Sequence, residues 1–367
     1  KSWTIGIVVP VDDFIGTVKE TNQHILIFGV VLIGFVSRLI SGPIKELATE
    51  ANKIRDYDFD GAITVGSNVR EVQDLSNSMD TMKSAIRELN KFVPKGLITQ
   101  LMESGEGFEL GGRSRDITVL FTDIAGFTGI SESMSAEELT RHVSAYFEEI
   151  TKIIRSNNGV IDKYMGDAVM AFWGAPLDND HHTHDACVAV LNAKRQVDEL
   201  NEQWRAQGKP PLITRFGLNT GDAVAGTIGS SERMNYTVLG DIVNVASRLE
   251  GLNRQYGTSI IVSETVYKRA GDAFLMRPFV IVAVKGRKAG IRIYELLGAL
   301  KDDTAPETSE LEQAWVRATE EALNAYTAQD WDRAIALFEA IQRNHPSDGV
   351  PDVFLARCRE YKANPPE

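Results

Sequence analysis

Cysteine is almost missing from this chain: two occur in 367 residues, Cys187 and Cys358, each in helix-patterned sequence. Two widely separated thiols make neither a disulfide framework nor a paired metal-binding motif, and they read as reduced thiols of a cytosolic part. A surplus of positive charge is missing too. Lys and Arg total 39 against 51 Asp and Glu, a formal net charge of −12. That excludes a general nucleic-acid binder, because phosphate backbones need a basic face, and leaves room only for a local basic pocket. A full-length apolar span is also lacking. Residues 25–36, ILIFGVVLIGFV, are apolar or Gly throughout, and with Leu39 and Ile40 they reach about 24 Å as a helix, short of the roughly 30 Å hydrocarbon core. Arg38 can snorkel and residues 21–24 can sit at the interface, which favours a membrane span over a buried core helix. Lys45, Lys53 and Arg55 follow the run with no basic cluster before it, putting the remainder inside the cell. The expectation is one span over 21–41 in the cell inner membrane, with a cytoplasmic catalytic part. The chain starts at Lys1 without methionine and reads as a fragment. Residues 3–10, WTIGIVVP, with Val11, Asp12 and Asp13, read as the last strand and exit of an extracytoplasmic sensor domain whose remnant covers 1–20.

What is present suits several modules, since the length exceeds one ordinary domain and 43% hydrophobic content supplies a core. After the apolar run, Pro43 suits the first turn of a new helix carrying Ile44, Leu47, Ala51 and Ile54. A polar connector over 56–68 holds Gly61 and Gly66. Val72, Leu75, Met79, Met82, Ile86 and Leu89 then alternate three and four apart, the seam of a parallel coiled coil. Two short heptad helices joined by an extended connector directly after a span resemble a HAMP linker over 42–91, with Glu71 at the acidic position such linkers carry. A plain coiled-coil spacer is the alternative, and both imply a parallel dimer. Residues 92–112 read as a short transducing helix and a Gly-rich linker.

The segment 113–299 alternates strands with helices. ITVLFTDIAGFT, residues 117–128, reads as a buried strand with Asp123 at its end and a tight turn at Gly126. DKYMGD, residues 162–167, reads as a hairpin whose Gly-Asp turn raises a second carboxylate, Asp167. Two carboxylates on neighbouring strand ends make a hard-cation site. A helix over 135–157 opens on a capping box, Ser135 with Glu138, and carries Leu139, Val143, Phe147 and Ile150 on one face. Further helices are expected over 182–205 and 241–252, a strand pair at 213–217 and 223–229, a strand at 259–262, and two late strands around Gly286. The class is α+β with an antiparallel βαββαβ sheet.

FTDIAGFT, DKYMGD, FGLNTGDAVAGTIGS and YTVLGDIVNVASRLE, in that order and spacing, resemble the catalytic domain of class III nucleotidyl cyclases, with a ferredoxin-like fold. The resemblance implies that Asp123 and Asp167, with the backbone carbonyl of Ile124, bind two Mg²⁺ or Mn²⁺ ions per active site, oxygen-only donors suiting those metals. One ion would activate the ribose 3′-hydroxyl for in-line attack on the α-phosphate and the other would hold the triphosphate. Lys163 and Thr237 occupy the purine-reading positions. Lysine donates to adenine N1 and the Thr hydroxyl can accept from N6, as in the Thr-bearing adenylyl subgroup, so ATP is the expected substrate and cyclic AMP the product. Asn244 would orient the ribose and Arg248 would stabilise charge on the α-phosphate. Lys285, in VKGRK, matches a late triphosphate-binding lysine.

Relatives of this kind share each active site between two catalytic domains, which implies a homodimer with composite sites, in keeping with the parallel coiled coil. Rotation of the linker helices would then change how the catalytic halves meet. His181, His182 and His184 lack a matched carboxylate or cysteine partner and read as solvated surface. Beyond an acidic linker, the tail within 300–367 resembles one tetratricopeptide unit with a neighbouring helix. Such a unit cannot bury its own face and needs the cyclase, the dimer mate or a partner protein against it. Two other classes stay open: a signalling scaffold without catalysis, and an enzyme making another product, a guanylate cyclase or a diguanylate cyclase. The Gly-Gly-Asp-Glu-Phe turn of the last is replaced here by Met165-Gly166-Asp167-Ala168.

Overall fold

The structure, a computed structural model, describes residues 11–55, 58–89, 111–230, 233–282, 290–300 and 304–364. The expected strand at 3–10, the transducing helix at 92–110 and Lys285 lie outside these. The chain divides into two compact units, Lys1–Thr99 and Gln100–Glu367.

The first unit is helical. Helix α1 (Val11–Val36) passes through a wide turn at Ser37–Ser41 into α2 (Gly42–Arg55), so the stretch Asn22–Arg55 is continuous helix. The sequence reading starts a new helix at Pro43 and places an exit strand at Val11; both positions are helical here. Proline has no N–H and its ring crowds the carbonyl four residues back, and the widened turn, in which the Gly42 N–H reaches the Ser37 carbonyl, accommodates this without a break. Side chains from Ile25 to Phe35 are exposed within the unit, leaving an apolar rod for lipid to cover.

Connector 58–69 lies against α2 and α3 (Arg70–Leu89), burying Phe59, Ile63 and Val65 beside Leu47 and Val72. Arg87 donates to the carbonyls of Phe59 and Gly61, both at 3.0 Å, and Asp80 accepts the Ile63 N–H at 2.8 Å. Lys83, almost wholly buried, reaches Glu50 at 3.1 Å. The expected seam divides into two faces. Val72 and Met79 pack within the unit, whereas Leu75 and Met82 stay about half exposed.

The second unit is built on an eight-stranded sheet of β1 (Gly111–Ile124), β2 (Val160–Met165), β3 (Ala168–Trp173), β4 (Thr214–Gly229), β5 (Met234–Leu239), β6 (Ile260–Ser263), β7 (Phe274–Val282) and β8 (Ile291–Ala299), in the order β2-β3-β1-β4-β6-β8-β7, with β5 paired to β4. Strand β1 (Gly111–Ile124) is central and antiparallel to both neighbours, β3 (Ala168–Trp173) and β4 (Thr214–Gly229). Its inner half, Ile117 to Leu120, is fully buried, which fixes the register and aims Asp123 at one end of the sheet. Helices α4 (Phe127–Ser133) and α5 (Ala136–Ser156) lead to β2 (Val160–Met165), and α6 (His182–Ala206) leads from β3 to β4. These elements are the expected βαββαβ core. Strand β5 (Met234–Leu239), α7 (Asp241–Tyr256), β6 (Ile260–Ser263), α8 (Glu264–Ala270), β7 (Phe274–Val282) and β8 (Ile291–Ala299) complete the domain.

Three local expectations are corrected. The strand pair at 213–217 and 223–229 is a single strand, β4, because the intervening Asn219 to Asp222 pair with β1 along its full length; the partner in the hairpin is β5. Helix α5 has the expected capping box but buries His142, Tyr146, Ile150 and Ile154, with Leu139, Val143 and Phe147 on the flank. His142 is drawn inward by a hydrogen bond to the Pro210 carbonyl at 2.9 Å and an edge contact with Trp204. His182 is buried rather than solvated. Its Nδ1 lies 2.7 Å from Thr118 Oγ1 within a cluster of Thr118, Thr183 and Thr220.

Helices α9 (Glu310–Thr327), α10 (Trp331–Asn344) and α11 (Val350–Ala363) pack on the cyclase-like domain itself, joining Val245, Leu249 and Tyr256 of α7 in one hydrophobic cluster. A buried ionic cluster reinforces the join. Arg277 of β7, 1% exposed, donates to Glu295 of β8 and to Asp348 in the loop before α11, and stacks 4.0 Å above the Trp315 ring.

Candidate active site

Asp123 stands at the open end of β1, opposite Arg215 on β4, whose guanidinium is 3.9 Å away. Asp167 sits in the β2–β3 turn, where Gly166 has φ +66°, a left-handed conformation that costs glycine little. The turn folds Asp167 against β1, so that its Oδ2 accepts the Ile124 N–H at 3.3 Å. The carboxyl of Asp123 is pushed above the usual carboxylate range, first by burial, then by the charge of Asp167 and a hydrogen bond to it, against the pull of Arg215. The structure thus brings Asp123, Ile124 and Asp167 together at one end of the sheet.

A third carboxyl approaches from behind. Glu250, on α7, is pushed up to about 7 by burial and then by Asp123, with Arg215 opposing and Asp167 adding to the rise. Its Oε1 is buried with no hydrogen-bond partner among the described residues. It comes this close because Gly217 lets α7 lie on β4: a Cβ there would sit 2.2 Å from the Glu250 backbone nitrogen. An oxygen-only pair of acids in which burial and the neighbouring charge raise the pKa of Asp123 fits a hard divalent cation, which would relieve the repulsion. Among the described residues no group of three or more His, Cys, Asp or Glu is arranged to hold a metal, so Asp123 and Asp167 would leave the rest of the shell to backbone or nucleotide oxygens.

Lys163 and Thr237 meet on a residue that sequence reasoning missed. Asp162, its side chain 2% exposed, lies 3.3 Å from the Lys163 ammonium through Oδ1 and accepts the Thr237 hydroxyl through Oδ2. Strict strand alternation would put Asp162 and Lys163 on opposite faces, but β2 carries a bulge between Ile161 and Lys163 that frees Asp162 from the ladder. The β4–β5 hairpin folds over β3, with Tyr236 6.3 Å from Phe172, and this delivers Thr237.

Asn244 and Arg248 lie on the exposed face of α7, four residues apart. Arg248 has no ion-pair partner among the described residues, Glu250 included. The structure does not bring these two to the acid pair of the same chain as hydrogen-bonding or ion-pair partners. Arg215 and Glu250 were also missed by sequence reasoning, since nothing in a lone strand arginine or a helix glutamate marks either.

The adenylate and guanylate cyclase catalytic domain matches residues 111–298, half of the chain. The chain belongs to this family. A HAMP domain matches residues 35–88, overlapping the end of the membrane-spanning helix, and the folded cyclase lies on the cytoplasmic side. The chain is 36% identical over 307 residues to adenylate cyclase 1 of Rhizobium meliloti (strain 1021), covering 81% of this chain and 46% of that protein. It spans about half the length of the curated relatives it matches. Among solved structures, a bacterial light-regulated adenylyl cyclase matches with TM-score 0.56 and 26% identity, over 68% of this chain and 71% of that one. The guanylyl cyclase Cya2 matches with TM-score 0.50 and 31% identity, over 54% and 100%. Fold likeness thus reaches cyclases named for either purine, and the choice rests on the site.

Proposed function

We propose that this cyclase is a membrane-anchored adenylate cyclase that converts ATP to 3′,5′-cyclic AMP and pyrophosphate, acting as a homodimer in the cell inner membrane. The observation that carries the reading is the pairing of Asp123 with Asp167 at the sheet end, two acids whose proximity calls for a cation. Two Mg²⁺ or Mn²⁺ ions held there with the Ile124 carbonyl would acidify the ribose 3′-hydroxyl and offset the triphosphate charge. Lys163 donates to adenine N1 and Thr237 accepts from N6, a pairing that supports the Thr-bearing adenylyl subgroup. Asn244 orients the ribose, and Arg248 stabilises negative charge on the α-phosphate as the 3′-oxygen bonds to phosphorus and the bond to the leaving pyrophosphate breaks. Lys285 is assigned to the triphosphate from its motif alone.

The exposure of Asn244 and Arg248 supports sites completed between two chains, and the exposed Leu75 and Met82 support a parallel partner on α3. Regulation then passes from a sensor through the HAMP domain. The tail is read as a tetratricopeptide-like unit whose inner face the cyclase covers, with its outer face available to a partner protein.

The test is turnover of the full chain in detergent, with ATP against GTP, in Mg²⁺ and in Mn²⁺, the product identified by mass. Cyclic AMP that disappears in Asp167→Ala is the expected result. Cyclic GTP would overturn the substrate, and no product under any condition would favour a non-catalytic scaffold.

A further inference from the structure

We propose that Asp162 sets the purine preference of this site, by fixing the direction of the Thr237 hydroxyl and the position of the Lys163 ammonium. The inference rests on the reading of Lys163 and Thr237 as the purine-facing pair. A threonine hydroxyl has one proton and two lone pairs, so alone it serves either base: it can accept from the N6 amine of adenine or donate to O6 of guanine. A carboxylate can only accept. With Asp162 Oδ2 taking the Thr237 proton, only lone pairs remain for a ligand, and these suit an amine and repel a carbonyl oxygen. The other oxygen, Oδ1, holds the Lys163 ammonium at 3.3 Å. Lysine's remaining protons then suit adenine N1, an acceptor, and oppose the N1–H of guanine.

Burial makes the arrangement strict. The Asp162 side chain is 2% exposed and Thr237 is buried, so water does not compete for the hydroxyl proton, whereas Lys163 keeps its outer side open. Asp162 is a positioning residue: it acts on the base only through its two neighbours.

Asp162→Asn reverses the logic with little change of shape. The lysine ammonium claims the single amide oxygen, the amide NH₂ donates to Thr237, and the Thr237 proton turns outward, where it suits O6. The expected result is a fall of roughly 10 to 100-fold in kcat/KM for ATP, carried mainly by KM, with GTP turnover held or raised, so that the ATP to GTP ratio drops at least about tenfold. In a Thr237→Val background the same substitution should move that ratio by less than about threefold, because the hydroxyl it acts on is gone.

Binding of non-cyclisable analogues of ATP and GTP to the full chain gives a second readout that needs no turnover. If the wild type makes no cyclic nucleotide, the proposed function fails while analogue binding still decides the role of Asp162. Equal losses for both nucleotides, in turnover and in binding, would overturn the proposal and leave Asp162 a structural residue. Should Asp162→Asn not melt cooperatively, Asp162→Ser is judged by the same ratio.

Discussion

Two clusters of buried charge sit in the catalytic unit, and they are built on opposite principles. Around Arg277, every charged group has a hydrogen-bonding partner: the guanidinium donates to Glu295 and Asp348, Asp348 also accepts from Trp315 Nε1 at 3.1 Å, and the indole ring covers the cation. Around Asp123, three carboxyls face the one guanidinium of Arg215, and one buried oxygen of Glu250 has no hydrogen-bond partner among the described residues. The first cluster is complete within the chain and welds the tail to β7 and β8. The second would be completed by a positive charge from outside, as the proposed function requires. A satisfied buried network is a fastening, whereas an unsatisfied like-charge one stores a demand for a ligand.

The sharpest way to break this contrast is to remove one charged group from each cluster, the acid Asp123 from one and the guanidinium of Arg277 from the other, and compare activity with stability. Asp123→Ala should lower turnover by at least about 10³-fold, some 4 kcal/mol of barrier, since it removes an electrostatic element of the transition state. Without metal its urea midpoint should stay level or rise, because a crowded carboxylate has gone. Arg277→Ala should do the reverse. It strands Glu295 and Asp348 in the interior and should cost about 3 to 5 kcal/mol of stability in denaturant titration, with loss of turnover following the unfolded fraction. A destabilised Asp123→Ala together with a stable Arg277→Ala would erase the distinction between the two clusters.

Features set by neighbouring residues were legible in the sequence. The capping box of Ser135 and Glu138, the Gly166 turn and the strand ending at Asp123 each follow from short-range chemistry, and so does the order of the βαββαβ core. Features set by packing were not. The Asp162 position depends on a bulge that periodicity cannot show, and Glu250 reaches the acids only because Gly217 admits α7. His142 and His182 are polar by composition yet buried, each because a specific partner meets it. The tail's apolar faces are visible in sequence, but their destination on α7 is decided by surface shape. Burial of the Arg277 cluster joins residues 71 positions apart, a distance no local pattern spans.

The smallest expected effect concerns Glu250 and tests whether the acid cluster pushes on the fold even without metal. Its folded pKa of about 7 lies above the ordinary glutamate value of 4.5 that serves for the unfolded chain, so the folded state binds the proton more tightly. The stability this brings is fully present below about pH 4.5 and is lost as pH rises through about 7. Glu250→Gln cannot ionise, so in chelator its stability should fall less than that of the wild type across this window. Because the residue is only half-buried, solvent screening holds the gap to about 1 to 2 kcal/mol at pH 8 relative to pH 5. Urea titrations at the two pH values read it directly. Parallel curves for variant and wild type would mean that Arg215 already balances all three acids, and the cluster would then resemble that of Arg277 more than it differs from it.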